Sequence, residues 1–323
     1  MPRRARLDFP GLLHHVMARG IEGAVIFRDN EDREEFLRRL SQNVADGRAR
    51  LFAWVLMSNH VHILLRPETV PLSTIMRRLL TGYAVWHNRR YSRKGHLFQN
   101  RYKSIIAEED PYFLELVRYI HLNPIRAGLV KEMSELDRYP YSGHSVIMGN
   151  HKYKPQDVLG VLEFFGQRTG AARKEYHHFT TAGIEKGGRE DLRGGGLIRS
   201  SGGREKLDQR IKEEPELGDE RILGSGTFVE EVLKGHEREK AKAAVLDFEN
   251  ILEGICQDWR VSREQILSGA RTREISQARR AFFLRAHEET GQSFASLGRL
   301  CGLSHTSVRE AIAKARMEFT EKQ

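Results

Sequence analysis

The sequence predicts an α+β chain. A split βαβ (ferredoxin-like) antiparallel sheet domain is followed by a separate all-α helix-turn-helix domain. Three observations carry that reading. Apolar runs of strand and helix type follow the order β-α-β-β-α-β as far as Ala107. Eleven glycines crowd Gly183–Gly226, and every apolar pattern beyond them has helical spacing. At 323 residues the chain has room for about two domains, each with its own core.

Leu12–Arg19 reads as the first strand. Asp29-Asn30-Glu31 then opens an amphipathic helix with Phe36, Leu37 and Leu40 on one face. Leu51–Met57 and His60–Leu65 are two apolar runs around Ser58-Asn59, either a hairpin or one interrupted strand, and the hairpin is the more economical. Pro71 starts a helix in which Leu72, Ile75, Met76, Leu79, Tyr83 and Trp86 recur at spacings of three and four. Arg101–Ala107 supplies the fourth strand, and both helices belong on one face of the sheet.

Asp110-Pro111 reads as an N-cap and first helical residue, with Phe113, Leu116, Val117 and Ile120 as the buried stripe. Tyr119 falls roughly 110° from the centre of that stripe, which places it at the border of core and groove. Pro124 ends the helix near Asn123. Val158–Phe165 and Ala171–Phe179 are short helical patterns expected to pack on the outside of the first domain. The expected division is therefore residues 1–182, a flexible glycine-rich linker over 183–226, and a helical domain over 227–323.

In that last part Phe228–Trp259, Arg263–Leu267, Arg273–Glu289, Phe294–Leu300 and His305–Met317 read as helices. Ser262 with Gln265 fits a capping box, and Ser293 and Ser304 fit N-caps. Cys301-Gly302-Leu303 is the short glycine turn of a helix-turn-helix, or of an ordinary αα-hairpin. His305, Thr306, Ser307 and Arg309 open the second helix, where base-reading side chains sit, and this favours duplex DNA as the partner.

Charge points the same way. The formal net charge is +9, which favours a polyanion, and no stretch is long and apolar enough for a membrane span. From Pro71 to Ala107 there is no Asp or Glu, while Arg77, Arg78, Arg89, Arg90, Arg93, Lys94, Arg101 and Lys103 add eight positive charges. A solvated face ordinarily mixes signs, so this block reads as a phosphate-binding surface. Tyr83, Trp86, Tyr91, Phe98 and Tyr102 interleave with it and divide between core and base stacking. Two cysteines make no disulfide framework or zinc cage, and the basic N-terminus lacks a signal-type apolar run, so a reducing bacterial cytoplasm, at the nucleoid, is expected.

His60-Val61-His62 lies within the strand pair. Alternate residues of a strand share a face, so both imidazoles can close on one divalent ion. A satisfied histidine pair on a sheet face is the alternative. No phosphate loop of the Gly-x-x-x-x-Gly-Lys type is present.

Three blocks then carry a resemblance: His15-Val16-Met17-Ala18-Arg19-Gly20, Met57 to Leu65, and Tyr119-Ile120-His121-Leu122-Asn123-Pro124-Ile125-Arg126-Ala127-Gly128-Leu129-Val130. With these the chain, over roughly Gly11 to Val130, resembles the REP-associated tyrosine transposases of the single-tyrosine HUH family. Ser58 stands where that family usually has proline. The resemblance implies that His60 and His62 hold a divalent ion, magnesium or manganese, that Asn123 completes the metal site, and that Tyr119 is the nucleophile. It also implies cleavage and rejoining of single-stranded DNA beside a hairpin-forming palindrome through a 5′-phosphotyrosine, and a homodimer for paired cleavages. A non-cleaving DNA-binding regulator on the same fold is the alternative. Read as residues alone, Tyr119 is also a core-edge tyrosine and Asn123 a helix cap before proline. No residue identifies a base for Tyr119, and His121, two positions along the helix, points away from it.

The C-terminal helices resemble the DNA-binding domain of the replication initiator DnaA through Ser262–Leu267, Arg279 to Leu284, Ser296-Leu297-Gly298 and Ser304 to Val308. That resemblance implies duplex binding by the helix-turn-helix. Ser304 stands at the acidic position of the family motif and the preceding loop has lost its arginine, so altered or generic specificity is expected. From Val245 to Gln323 there are 12 basic and 11 acidic residues, and affinity from this part alone should be modest.

Overall fold

The computed structural model describes residues 6–45, 49–185, 187, 192, 218–268, 270, 272–290 and 292–320. It divides into two units, Met1–Lys234 and Gly235–Gln323. In the first, the order is β1 (Leu13–Arg19), α1 (Asn30–Asn43), β2 (Ala49–Leu56), β3 (His60–Pro67), α2 (Leu72–Arg90), β4 (Lys103–Ala107) and α3 (Glu109–His121). The short helices α4 (Asn123–Arg126), α5 (Met133–Leu136), α6 (Gly143–Met148) and α7 (Val158–Leu162) follow, then α8 (Thr169–Thr181) and a returning strand β5 (Ile222–Leu223).

The sheet order is β2-β3-β1-β4-β5. Its first four strands are antiparallel neighbours, as the β-α-β-β-α-β pattern requires, and β5 adds to β4 in parallel. The hairpin reading of Ser58-Asn59 holds: Met57 N–H donates to His60 O at 2.9 Å. On one face α1 and α2 bury Phe36, Leu40, Ile75, Met76, Leu79 and Tyr83 against Val16, Ala18, Val61, Ile63 and Leu65. Asp29 opens α1 by accepting from Asp32 N–H at 3.0 Å, the cap its sequence position implied.

The opposite face takes α3 and the later helices. Phe113, Leu116, Tyr119 and Ile120 pack on Leu13, Ala53, Val55, Leu64 and Ile105, and Ile147, Val161, Leu162, Ala172 and Tyr176 extend that core. The expected outer helices thus form a second layer. Asp110 is not the cap of α3: the helix begins at Glu109 after Glu108, and Glu108 instead accepts from Ser225 N–H at 2.7 Å. Of the expected linker over 183–226, most lies outside the described residues. Its end is not a spacer, because Ile222 and Leu223 complete the sheet and Phe228, Val229 and Val232 pack with Leu7 and Ile106.

Within the second layer a polar chain runs inward from the surface. Asp137 Oδ1 meets His144 Nε2 at 2.8 Å, His144 Nδ1 meets Tyr176 Oη at 2.9 Å, and Tyr176 Oη meets His121 Nδ1 at 2.7 Å. Tyr176, His121 and His144 are fully buried, so each hydrogen bond replaces one to water that burial removed.

The second unit is helical. It takes most of α9 (Gly226–Trp259), followed by α10 (Arg263–Leu267), α11 (Arg273–Thr290), α12 (Phe294–Cys301) and α13 (His305–Thr320). Its core joins Phe248, Ile251, Phe282, Phe283, Leu297, Val308 and Ile312. The Ser262–Gln265 capping box is formed, and buried Arg279 ties α11 to α10 by donating to the carbonyls of Ile266, Gln265 and Ala270 at 2.6, 2.8 and 2.9 Å.

Two outcomes follow for stability. Tyr176→Phe leaves two buried imidazole nitrogens without their hydroxyl partner and should cost about 1–3 kcal/mol in chemical denaturation. Acid should also weaken the first unit. Burial pushes the His14 imidazole down to about 4, and burial lowers His144 in spite of Asp137. The unfolded imidazoles take up protons near 6.5 while the folded ones stay neutral, so stability held above that pH is lost as pH falls toward 5. Urea midpoints at pH 7.5, 6.5 and 5.5 should decrease in that order.

Candidate functional site

β3 brings His60 and His62 to the second face, opposite Arg19 and Met17 of β1. Their ring centroids are 5.1 Å apart and nearly perpendicular. They open on a cavity of about 390 Å³ lined also by Met17, Arg19, Gln99, Asn100, Arg101 and Lys103. The irregular segment 99–102 arises from pairing: Gly20 bridges Phe98, whereas Met17 pairs with Lys103, so β4's side carries extra residues that arch toward the cavity.

Each histidine is held through Nδ1. His60 Nδ1 lies 2.6 Å from Asn59 Oδ1, and His62 Nδ1 lies 3.0 Å from His15 Nε2. His62 is 6% exposed and His15 fully buried. Tyr119 packs edge-on beneath both, 6.0 Å from the His62 ring and 5.8 Å from the His15 ring. The Arg126 guanidinium sits 5.2 Å above the Tyr119 ring and donates to Tyr119 O at 3.2 Å.

Tyr119 is 2% exposed, which corrects its expected place at the border of a groove. The helical wheel counts only α3, whereas the sheet histidines and Arg126 cover the remaining side of the ring. Asn123, 9% exposed, donates from Nδ2 to Tyr119 O at 2.8 Å and Ile120 O at 3.1 Å. It therefore caps α3, and the same bonds turn Oδ1 away from the helix. His121 points into the Tyr176 network, away from the cavity, as its spacing from Tyr119 implied.

The donor set suits a divalent ion held by few ligands. Among the described residues no cluster of three or more His, Cys, Asp or Glu side chains forms a metal cage. Two imidazoles suit a divalent ion and leave coordination positions for oxygen donors.

The expected basic surface divides. Arg101 and Lys103 line the cavity with Arg19, a residue the sequence reading did not single out although it alternates with His15 and Met17. Arg77, Arg78 and Arg89 are exposed on α2, which packs on the other face of the sheet, and Lys94 is exposed just beyond it. Arg93 is half-buried there. Arg90 is taken out of the surface by Asp29, Glu31 and Asp32, at 2.8, 2.7 and 2.7 Å. Arg90 of the acid-free stretch is thus balanced in space by the start of α1.

In the second unit, Gly302 ends α12 in the left-handed conformation at φ 63°, which favours glycine. Gly298 allows the turn to close, because a Cβ there would meet Leu303 O at 2.5 Å. Ser304 Oγ accepts from Ser307 N–H at 3.1 Å and caps α13, whose first turn exposes His305, Thr306, Ser307 and Arg309.

Comparison with known proteins divides along the same lines. Residues 10–123 match the family described as transposase IS200 like, and residues 248–315 match the bacterial DnaA protein helix-turn-helix. The chromosomal replication initiator protein DnaA of Oleidesulfovibrio alaskensis is 32% identical over 80 residues, 25% of this chain. The chain spans 17% of the length of that curated relative. A solved structure of the REP-associated tyrosine transposase bound to a REP hairpin is 20% identical, with a TM-score of 0.36, over 47% of this chain and 90% of that one. An IS200-like domain is thus joined to a DnaA-like helix-turn-helix domain.

The burial of Tyr119 has a direct chemical readout. Nitration by tetranitromethane, mapped by mass spectrometry, should modify half-buried Tyr112 well before Tyr119 in the DNA-free protein; equal rates would contradict the packing beneath His15 and His62.

Proposed function

We propose that the IS200-like domain is a metal-dependent endonuclease and strand transferase acting on single-stranded DNA beside a hairpin-forming palindrome. The observation that carries this is a cavity lined by His60 and His62 and rimmed by Arg19, Arg101 and Lys103, with Tyr119 packed edge-on against the His62 ring. The motifs' resemblance to single-tyrosine HUH transposases supplies the substrate class.

In this reading Tyr119 Oη attacks the scissile phosphorus, forming a P–O bond to tyrosine while the bond to the 3′-oxygen breaks. The phenol proton leaves to solvent and the departing 3′-oxygen gains one. The 5′-phosphotyrosine keeps the energy of the broken bond, so attack by a second 3′-hydroxyl restores a phosphodiester without a nucleotide cofactor. Arg19, Arg101 and Lys103 hold flanking phosphates, and Arg126 keeps positive charge beside the nucleophile. His60, His62 and Asn123 Oδ1 would hold magnesium or manganese, which when bound neutralises charge on the non-bridging oxygens.

His305, Thr306, Ser307 and Arg309 would meet duplex DNA through α13, whose exposed first turn is where such helices read bases. With one nucleophile per chain, paired cleavages call for a homodimer. No helix among the described residues is long and apolar enough to cross a membrane, and the chain's work on DNA places it at the nucleoid.

One observation favours a second reading, a DNA-binding regulator that does not cut. Tyr119 is buried, and attack needs its hydroxyl in the cavity. The two separate in one experiment. Incubated with hairpin oligonucleotides carrying single-stranded flanks and manganese, the wild-type chain should form a denaturation-resistant DNA adduct that Tyr119→Phe abolishes. Cleavage surviving in Tyr119→Phe overturns the assignment, and binding without adduct under any metal or flank establishes the regulator.

A further inference from the structure

We infer that His15 is the positioning residue of this site: it sets the tautomer and orientation of His62 and the packing of Tyr119. The inference rests on the metal-dependent reading above and adds a residue to it.

His15 and His62 lie on adjacent strands, on the same face, one pairing step apart: Met17 faces His62 and His15 faces Leu64. Their rings stack at 5.2 Å with 24° between planes, and His15 Nε2 meets His62 Nδ1 at 3.0 Å. Two ring nitrogens at that distance share one proton. When His62 ligates through Nε2, its Nδ1 carries the proton and donates it, and His15 must accept at Nε2. This is the arrangement in which a ligating histidine hands its second N–H to an outer acceptor, with an imidazole where a carboxylate is common. His60 has a fixed acceptor of its own in Asn59 Oδ1. The two site histidines are therefore oriented by different neighbours, and the one that holds His62 also touches Tyr119.

That second contact distinguishes His15 from a simple hydrogen-bond partner. Its ring meets Tyr119 at 5.8 Å and 74°, while His62 meets the same ring at 6.0 Å and 83°. One fully buried side chain thus registers strand β3, through His62, against helix α3, through Tyr119. A merely apolar role would be filled by phenylalanine, which keeps the stacking and loses the acceptor. Glutamine does the reverse, keeping an oxygen for His62 Nδ1–H without the ring.

The full-length protein and its His15→Phe and His15→Gln variants, titrated with Mn2+ alone by calorimetry, decide the matter. His15→Phe should weaken Mn2+ binding about tenfold to a hundredfold while the metal-free protein still folds, a few degrees less stable because His62 Nδ1 loses its buried partner, and His15→Gln should recover most of the loss in Mn2+ affinity. Equal Mn2+ affinity in wild type and a folded His15→Phe overturns the role of His15 alone. A wild-type chain that takes up no Mn2+ overturns the metal reading and this inference with it. If His15→Phe does not fold, the imidazole nitrogen spectrum of wild type loaded with Zn2+ answers instead. Protonated His62 Nδ1 with Nε2 on the metal is expected, and coordination through His62 Nδ1 overturns it.

Discussion

Successive residues of β3 point to opposite sides of the sheet, and this rule divides the domain into a core that stabilises and a face that carries the paired histidines. Val61, Ile63 and Leu65 go to the layer under α1 and α2, where they meet Phe36, Ile75 and Tyr83. His60 and His62 go to the other side with Leu64, and only the end of the strand beyond the α3 layer opens to the cavity. A slip of one residue in pairing would bury the imidazoles against aliphatic side chains and turn Val61 to the cavity. Register is secured on both flanks: β3 pairs with β1 over six residues and with β2 over seven, so the histidines cannot shift without losing two ladders.

A polar face inside a folded layer requires that buried polar groups be matched, and the helices after α3 serve that end. Tyr176 brings a hydroxyl to His121 and His144 at once, and Asp137 meets the outer nitrogen of His144 from the surface. Asn123 donates its side-chain amide to the carbonyls of Tyr119 and Ile120 at the end of α3, where helical carbonyls run short of amide donors. Helix α3, which carries Tyr119, is thus held from both sides, by packing on the sheet and by polar contacts with α4 and α8.

The repeating elements were legible in the sequence because their period is local. Alternation and three-four spacing reveal β1 to β4, α1 to α3 and the helices of the second unit within a few residues, and the serine caps mark where they begin. What escaped depends on distant neighbours. Arg90 reads as a free cation until Asp29, Glu31 and Asp32, some sixty residues earlier, are folded against it. Tyr119 reads as half-exposed until Arg126 and two strand histidines cover it. Ile222–Leu223 is too short, in a stretch too rich in glycine and charge, to announce a strand, and its place follows from the open edge of β4. The His-x-His pair was visible, whereas His15 as its neighbour was not, because the contact crosses 47 residues and exists only in the paired sheet.

The division of charge between the units bears on how DNA is distinguished. Phosphate contacts supply affinity without sequence information, and their number sets the salt dependence. Around the cavity Arg19, Arg101 and Lys103 stand close to the histidines, and attraction there acts on any phosphate backbone whatever its sequence. The helix-turn-helix unit has almost no net charge over Val245–Gln323. Its nonspecific hold on duplex DNA is weak for that reason, and whatever discrimination it has must rest on the side chains of the first turn of α13 meeting base edges. His305, Thr306 and Ser307 are short or neutral donors and acceptors, and only Arg309 offers a bidentate fork for guanine. A unit built this way contributes little affinity until base edges that match those side chains are beneath it.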